Sequence, residues 1–462
     1  MPRHRRRGLL LLALDVVLLL VAFNLIAALR GVTVQGGAPL LLELLPPLLL
    51  SIFALYLIDG YSLRTDMVSL DYTSQHIIAM TLAAVGTILI TFAVIPSNAA
   101  GSDALRASRG VIVFSFLVMA PVTLSYRRIL RLHHQRKHGQ RSIVFVGTDE
   151  SCEAFAASYN QSEMTQPLVT SVVENRSTSP FQTTVAGHVA LSDLLDRIQN
   201  GEMAVEAIVL RESGRELEAE ASERLLGLYF AGVPTYTLEL FHDIYWRKIP
   251  LYRINQTWLF QEGFQIAREP VFARLKRLSD ILLSALGLLL SGPVILLACV
   301  AIWLEDRGPV FFRQSRTGLN RVPFNLLKLR SMRNSTHNAD LYTQPGDSRI
   351  TKVGGFLRTT RIDELPQLWN VLRGEMSLIG PRAEWTRLVE NYEKLIPSYH
   401  YRHLVKPGIT GWAQVNYPYG ANVADTLRKL EYDLYYIRHF SFVMDAAIVL
   451  KTIHVMVFGK GR

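Results

Sequence analysis

Two adjacent carboxylates, Asp363 and Glu364, stand at the head of the run Asp363-Glu364-Leu365-Pro366-Gln367-Leu368-Trp369. Proline is tolerated in the first turn of a helix, so a helix is expected to start at the acid pair. A helix start offers N–H groups and the positive end of the dipole, and both suit phosphate oxygens. Arg349, Lys352, Arg358 and Arg361 come shortly before the pair, and Arg382 comes shortly after it. In that setting one carboxylate could attack a phosphorus while its neighbour holds a divalent cation that neutralises a diphosphate. The same residues also fit plain helix capping by Asp363, with Glu364 in solvent. Spacing alone leaves both readings open.

The elements that must position this pair are unusual. The chain has 462 residues, 49% of them hydrophobic and only 19% charged, with 49 Lys+Arg against 39 Asp+Glu. That is too apolar for a disordered chain, and two cysteines exclude a disulfide scaffold. The charge excess of +10 is not spread out. Arg3, Arg5, Arg6 and Arg7 form one cluster, and Arg127, Arg128, Arg131, Arg136, Lys137 and Arg141 form another. Without those ten, basic and acidic residues balance at 39 each. Both clusters abut apolar runs, so the excess reads as a topology signal and not as a nucleic-acid footprint.

Four runs lie between the clusters: Gly8 to Leu29, Ala38 to Ile58, Ile77 to Ile95, and Gly110 to Tyr126. They predict four transmembrane helices over residues 1–127 with both ends in the cytoplasm. The second run is bent at Pro46-Pro47 and the fourth is short. Asp15 and Glu43 are costly in lipid and are expected to face other helices. A fifth run, Ile281 to Trp303, has Ser291-Gly292-Pro293 at its centre and basic residues on both flanks. A kinked span and a hairpin returning to the same leaflet both fit that pattern.

Between the membrane segments, residues 141–250 alternate strand and helix signals. Ser142–Gly147, Ala204–Leu210 and Val233–Leu238 read as strands, with helices over Leu191–Asn200 and Glu216–Phe230. This predicts a doubly wound, Rossmann-like α/β domain. The turn Gly147-Thr148-Asp149 is not a G-x-G-x-x-G loop, so no dinucleotide site is expected there. Cys152 has no second cysteine nearby for a metal or redox pair. His133-His134 lie in a basic stretch without metal spacing.

The order of sequence blocks after Arg268 resembles the bacterial sugar transferase family, the polyprenyl-phosphate hexose-1-phosphate transferases. The blocks are Lys276-Arg277-Leu278-Ser279-Asp280, Gly308-Pro309-Val310 through Arg316-Thr317-Gly318, and Lys328-Leu329-Arg330-Ser331-Met332. Asp347-Ser348-Arg349, Leu357-Arg358 and Ile362 through Asn370 follow. Met376 through Arg382 and Lys406-Pro407-Gly408-Ile409-Thr410-Gly411-Trp412 complete the core. The end, with Tyr419-Gly420 and Tyr432-Asp433, is similar to the exopolysaccharide-initiating branch. Departures are Asn320-Arg321, Ser348 and Ala383, and none touches the acid pair.

The resemblance implies a membrane protein of α plus α/β class. It would have four transmembrane helices (1–127), the Rossmann-like domain (141–250), an interfacial re-entrant helix (268–305) and a mostly helical catalytic domain (306–462). It implies transfer of hexose-1-phosphate from a UDP-sugar, glucose or galactose foremost, to undecaprenyl phosphate, with release of UMP. Asp363 would attack the sugar-bearing phosphorus, and Glu364 would hold Mg²⁺. Lys328, Arg358, Arg382 and Asp433 match positions tied to substrate phosphates or site architecture. Lys276, Arg277 and Asp280 match the interfacial anchor, and Pro293 matches the break of the re-entrant helix. The implied location is the bacterial inner membrane with the catalytic domain on the cytoplasmic face, in contact with membrane lipid. Long members of this kind pair as homodimers, although no heptad seam marks one here. Two other classes remain as alternatives: a nucleotide-dependent sugar modifier and a non-catalytic assembly scaffold. Trp412, Tyr417 and Tyr419 fit base stacking, an interfacial position or core packing.

Overall fold

The computed structural model describes residues 3–32, 40–62, 65, 67–94, 109–138, 141–162, 164, 166–172, 190–211, 217, 219–251, 270–333, 349–417 and 422–458. The chain divides into two compact units, Met1–Trp246 and Arg247–Arg462.

The first unit opens with four apolar helices: α1 (Arg3–Leu29), α2 (Leu45–Leu57), α3 (Leu70–Leu89) and α4 (Arg109–His138). Three of them contain stretches long and apolar enough to cross a membrane: Gly8–Leu29, Tyr72–Phe92 and Arg109–His133. The run expected from Ala38 to Ile58 gives a shorter helix. Proline lacks an N–H and suits the first turn, so Pro46 and Pro47 begin the 13-residue α2 behind a 3₁₀ turn at Leu42–Leu44. Asp15 meets a partner that the charge pattern had assigned to topology. The Arg127 guanidinium donates to both of its carboxylate oxygens, at 2.9 and 2.5 Å. Arg127 is fully buried and also donates to the Gly60 carbonyl, so this cation ties α1 to α4.

A four-stranded, all-parallel sheet follows, in the order β2-β1-β3-β4. Its strands are β1 (Ser142–Gly147), β2 (Leu168–Val172), β3 (Val205–Leu210) and β4 (Thr235–Thr237). Every residue of β1 is buried, which explains its uninterrupted apolar sequence. Helices α5 (Asp149–Asn160), α6 (Leu191–Gln199) and α7 (Ala219–Phe230) lie between the strands, and the short α8 (Leu238–Phe241) follows β4. Val144, Val146, Leu194, Ile208 and Leu225 form one core of the sheet, and Phe145, Phe155, Val209 and Phe241 form the other.

The second unit is built around α9 (Pro270–Asp306), an uninterrupted helix of 37 residues with Pro293 inside it. Its stretch Val271–Asp306 is also long and apolar enough to cross a membrane. Helical backbone continues through Ser291-Gly292-Pro293, where a break was expected. At about 1.5 Å per residue α9 is roughly 55 Å long, well beyond the ~30 Å hydrocarbon core. Its two ends are held by the same folded unit. Near the start, the Arg277 guanidinium donates to the carbonyls of Val371 and Leu372, and Lys276 pairs with Asp445 at 2.5 Å. Asp280 accepts from Ser377 Oγ and Leu378 N, both at 3.0 Å. Near the finish, Ala298 and Ile302 pack on Leu329 and Leu357, and Asp306 pairs with Arg330. Much of the remaining surface of α9 is exposed leucine, including Leu282, Leu289, Leu290 and Leu297.

Against α9 lie the hairpin β5 (Phe311–Thr317) and β6 (Pro323–Leu329), then α10 (Lys352–Thr360), α11 (Gln367–Arg373) and β7 (Ser377–Ile379). The chain continues through α12 (Thr386–Leu395), β8 (Gly408–Thr410), α13 (Trp412–Asn416), α14 (Val423–Arg438) and α15 (Phe442–Phe458). Strands β7 and β8 pair in parallel. Trp412 is a core residue here. It is 3% exposed, packs with Leu430, Leu434 and Tyr436, and donates to the Arg247 carbonyl. Tyr417 is half-buried and donates to Asp425, while Tyr419 lies outside the described residues.

Candidate active site

The acid pair sits in a 3₁₀ turn, Ile362–Glu364, one step ahead of the helix expected to start there. The local sequence explains the shift. Thr351 caps α10 by accepting from Gly354 N at 2.9 Å, and α10 ends at Arg361 in the left-handed conformation, φ 56°. A non-glycine residue at positive φ costs energy and reverses the chain sharply. Pro366 then precedes α11, so Asp363 and Glu364 are confined to the turn between the two helices. The N-cap position of α11 is Pro366 and not Asp363, so the capping alternative does not describe the pair. Ile362 packs with Ala298, Ile302 and Leu357, which seats the turn directly on α9.

Strand β6 brings Lys328 to the pair, and its Nζ meets Glu364 Oε1 at 2.8 Å. The strand is locked to α11 by a buried side chain. Asn370 Oδ1 accepts from Leu327 N at 3.0 Å, and Asn370 Nδ2 donates to the Asn325 carbonyl at 2.8 Å. The amide of Asn370 thus takes the place of a neighbouring strand and sets the height of Lys328 against the turn. Arg361 lies 3.5 Å from the second oxygen of Glu364. A close approach fixes the other side of α10: a Cβ on Gly354 would stand 2.1 Å from the Ser331 carbonyl, so that position requires glycine.

The two carboxyls are driven in opposite directions. Burial raises Asp363 from its ordinary value, against the pull of Lys328 and Arg358. Burial also acts upward on Glu364, but Lys328, Arg382 and Arg361 outweigh it and hold that carboxyl at about 2. Lys328 is lowered by its own burial and by Arg382, while Glu364 and Asp363 act the other way. The outcome is one carboxylate of increased basicity and one kept firmly anionic. Such a split commonly separates a reacting group from a binding group.

Beside Glu364 is a cleft lined by Lys328, Arg316, Arg382, Gln367, Gly408 and Ala383, among others. Of the residues singled out from sequence, Lys328, Glu364 and Arg382 meet there. Asp363, 8% exposed, and the half-buried Arg358 lie next to it. Asp433 stands one layer back, 1% exposed. Its Oδ2 pairs with Arg402 at 2.8 Å, and Arg402 in turn donates to the Arg382 carbonyl at 3.1 Å. Burial pushes Asp433 up to about 6, against the Arg402 charge. Lys276, Arg277 and Asp280 all engage protein groups and bind α9 to the rest of this unit.

Arg316 and Asn370 stand inside the family blocks without having been assigned to the site, and Arg402 was not singled out at all. Arg402 and Asn370 are buried polar residues, and nothing in a single sequence marks burial of that kind. Backbone proximity shapes the cleft floor as well. A Cβ on Gly408 would stand 2.1 Å from the Gly380 nitrogen, so the Gly380-Pro381 and Pro407-Gly408 turns close on each other only without side chains.

Residues 271–459 match the family described as bacterial sugar transferase. Over 269 residues the chain is 39% identical to an Aeromonas hydrophila protein named UDP-N-acetylgalactosamine-undecaprenyl-phosphate N-acetylgalactosaminephosphotransferase, covering 58% of this chain and 63% of that one. It is 48% identical over 185 residues to the UDP-glucose:undecaprenyl-phosphate glucose-1-phosphate transferase of Escherichia coli (strain K12), covering 39% of each chain. A Caulobacter vibrioides protein of the same name is 45% identical over 202 residues, which cover 43% of this chain and 75% of that relative. The chain therefore spans less than two thirds of the length of the first two relatives, and most of the third. Arg316, Lys328, Asp363, Glu364 and Arg382 all fall within the matched segment, and the chain belongs to the bacterial sugar transferase family.

Proposed function

We propose that this protein is a membrane-bound phosphoglycosyl transferase that moves hexose-1-phosphate from a UDP-sugar to undecaprenyl phosphate and releases UMP. The observation that carries this reading is the divided acid pair among cations. A basic, buried Asp363 and a firmly anionic Glu364 share one turn beside Lys328 and Arg382. The names of the Aeromonas, Escherichia and Caulobacter relatives supply the substrate class.

In this mechanism a carboxylate oxygen of Asp363 attacks the sugar-bearing phosphorus. The bond from that phosphorus to the bridging oxygen breaks, and its electron pair leaves on UMP. The phospho-sugar held by Asp363 is then attacked by an oxygen of undecaprenyl phosphate, which regenerates the carboxylate. Dividing one displacement into two through a covalent intermediate gives ping-pong kinetics. Lys328, Arg358 and Arg382 offset the charge of the diphosphate, fixed in place before substrate arrives. Asp433 acts through Arg402 on the backbone of Arg382.

Two adjacent carboxylates fit Mg²⁺, which takes oxygen donors and usually keeps several non-protein ligands. Among the described residues no group of three or more His, Cys, Asp or Glu gathers, so diphosphate and water would complete the shell. Glu364 would hold the ion, and when bound the ion would neutralise diphosphate charge.

The acceptor is a lipid, and the site lies accordingly. Ile362 rests on α9, whose apolar surface is largely exposed. Both ends of α9 bind one folded unit, which supports a helix that bends at Pro293, without leaving helical backbone, and returns to the same leaflet. UDP-sugars are cytoplasmic, so the catalytic unit is assigned to the cytoplasmic face of the inner membrane. The parallel sheet of residues 142–237 is read as a Rossmann-like domain. The test is a UDP-sugar panel of glucose, galactose and N-acetylgalactosamine, supplied with undecaprenyl phosphate and scored for UMP. Release of UMP with one sugar, and formation of the corresponding polyprenyl diphospho-sugar, is expected. No UMP from any of them would overturn the reading.

A further inference from the structure

We infer that Gln367 binds a hydroxyl group of the hexose in the donor substrate. This assignment rests on the transfer reaction proposed above and names a residue that reads its sugar.

Gln367 is the first residue of α11, three positions after Glu364, and it lines the same cleft. It is 5% exposed. Yet among the described residues its side-chain amide has no hydrogen-bond partner. The amide is not sealed off either, and its atoms keep contact with the open space of the cleft. Asn370, three positions further along α11, shows how a buried amide in this helix is otherwise used. Its Oδ1 accepts from Leu327 N, and its Nδ2 donates to the Asn325 carbonyl and to Glu375 Oε2 at 2.6 Å. Buried polar side chains are nearly always satisfied in this way. An amide that is almost wholly buried, meets no protein group and borders a cleft is placed to bond what enters the cleft.

The neighbours in the cleft narrow what that group is. The cations Arg316, Lys328 and Arg382 only donate, and Glu364, which accepts, is engaged by Lys328. Donors of that kind suit the oxygens of a diphosphate, which only accept. An amide both donates and accepts, and so does a sugar hydroxyl. Leu326, Met376 and Ile409 also line the cleft and pack together, which gives the C–H face of a pyranose apolar ground to lie on. Connectivity then selects the hexose over the ribose. The phosphorus attacked by Asp363 carries the hexose through one oxygen, whereas the ribose is a second phosphate away. Gln367, three residues from Glu364 and four from Asp363, stands by the nearer group.

The test uses the full-length protein in lipid nanodiscs, with whichever UDP-sugar is turned over and with the deoxy analogues of that sugar. Gln367→Ala should lower kcat/KM for the parent UDP-sugar about ten-fold, the loss of one hydrogen bond to a neutral group. The deoxy analogue that lacks the hydroxyl held by Gln367 should be turned over by wild type and variant within about two-fold of each other. Inhibition by UMP, which has no hexose, should change less than about two-fold. An unchanged kcat/KM would overturn the assignment, and so would an equal loss for the parent and every deoxy analogue. UMP inhibition weakened as much as turnover would also overturn it, by placing Gln367 on the nucleotide. If Gln367→Ala does not fold, Gln367→Met, which keeps the length without the amide, decides by the same comparison. If the wild type releases no UMP from any UDP-sugar, the transfer reading fails by itself. Calorimetric binding of UDP-glucose against UMP, in wild type and Gln367→Met, then still decides the contact. Weaker UDP-glucose with unchanged UMP would support it, and parallel changes or no difference would overturn it.

Discussion

Among the described residues, two turns carry a pair of acids at the head of a helix, and they differ in what surrounds them. After β1, Asp149 and Glu150 open α5 in the unit with the parallel sheet. Both are exposed. In the other unit, Asp363 and Glu364 precede α11. There Asp363 is buried, and Glu364 is held between Lys328 at 2.8 Å and Arg361 at 3.5 Å. Local chemistry is nearly the same in the two turns. What differs is the set of elements that close over the second one. Strand β6, locked by Asn370, delivers a lysine, and Arg361 reverses the chain at positive φ. Reactivity here is a property of placement.

Substitutions at the two turns should therefore diverge, and the largest effect belongs to the buried carboxylate. Asp363→Asn should cost about 10³-fold or more in transfer, because the attacking oxygen is lost. Initial rates of UMP release measure this, and activity within ten-fold of wild type would break the contrast. Glu364→Gln should cost about 10²-fold, since an anion fixed beside Lys328 is neutralised. Chelation of divalent ions should abolish the wild-type rate, with Mg²⁺ restoring it. A rate indifferent to chelator would remove the metal from Glu364.

A smaller effect sharpens the comparison through pH. Asp433 titrates near 6, and its ionised form pairs with Arg402. Activity should fall as pH drops through about 6, as the proton dissolves that pair and loosens the Arg382 backbone. Asp433→Asn should remove this limb and lower the rate near neutrality by about ten-fold. Linkage gives stability the opposite sign. A carboxyl raised by folding stabilises fully below the ordinary carboxylate pKa, and that contribution is lost as pH rises towards 6. A limb unchanged in the variant would place the titration elsewhere. The smallest effect is expected at the first turn. Asp149→Asn and Glu150→Gln should leave transfer within about two-fold and stability within about 0.5 kcal/mol, as surface changes do.

The contrast also marks what could be read from residues alone. The strands β1 and β3 were legible, because a buried parallel strand is a largely apolar run, and β4 pairs only over Thr235–Thr237, inside the longer stretch expected from Val233 to Leu238. Strand β2 was missed: its pattern is short and half-exposed, and Pro167 precedes it. The prolines of the second apolar run were visible, but their effect was to shorten the helix to Leu45–Leu57. At Pro293 the sequence suggested a break, yet the backbone stays helical, because a proline can bend a helix without ending it. The family blocks located Asp363, Glu364, Lys328 and Arg382. They could not say that Asp433 is a layer removed or that Asn370 and Arg402 are structural supports, because burial and distance are set by tertiary contacts. Arg127 gives the same lesson in the membrane unit. It was counted among the charges that set topology, and it is buried against Asp15.

The central claim is that Asp363 forms a covalent phospho-sugar before the lipid acceptor takes part. Intact-protein mass spectrometry, after mixing the enzyme with UDP-sugar in the absence of polyprenyl phosphate, tests it most directly. The account predicts an added hexose phosphate on the wild type, a burst of UMP stoichiometric with enzyme, and neither with Asp363→Asn. UMP that appears only when the acceptor is present, with no mass added to the protein, would contradict it.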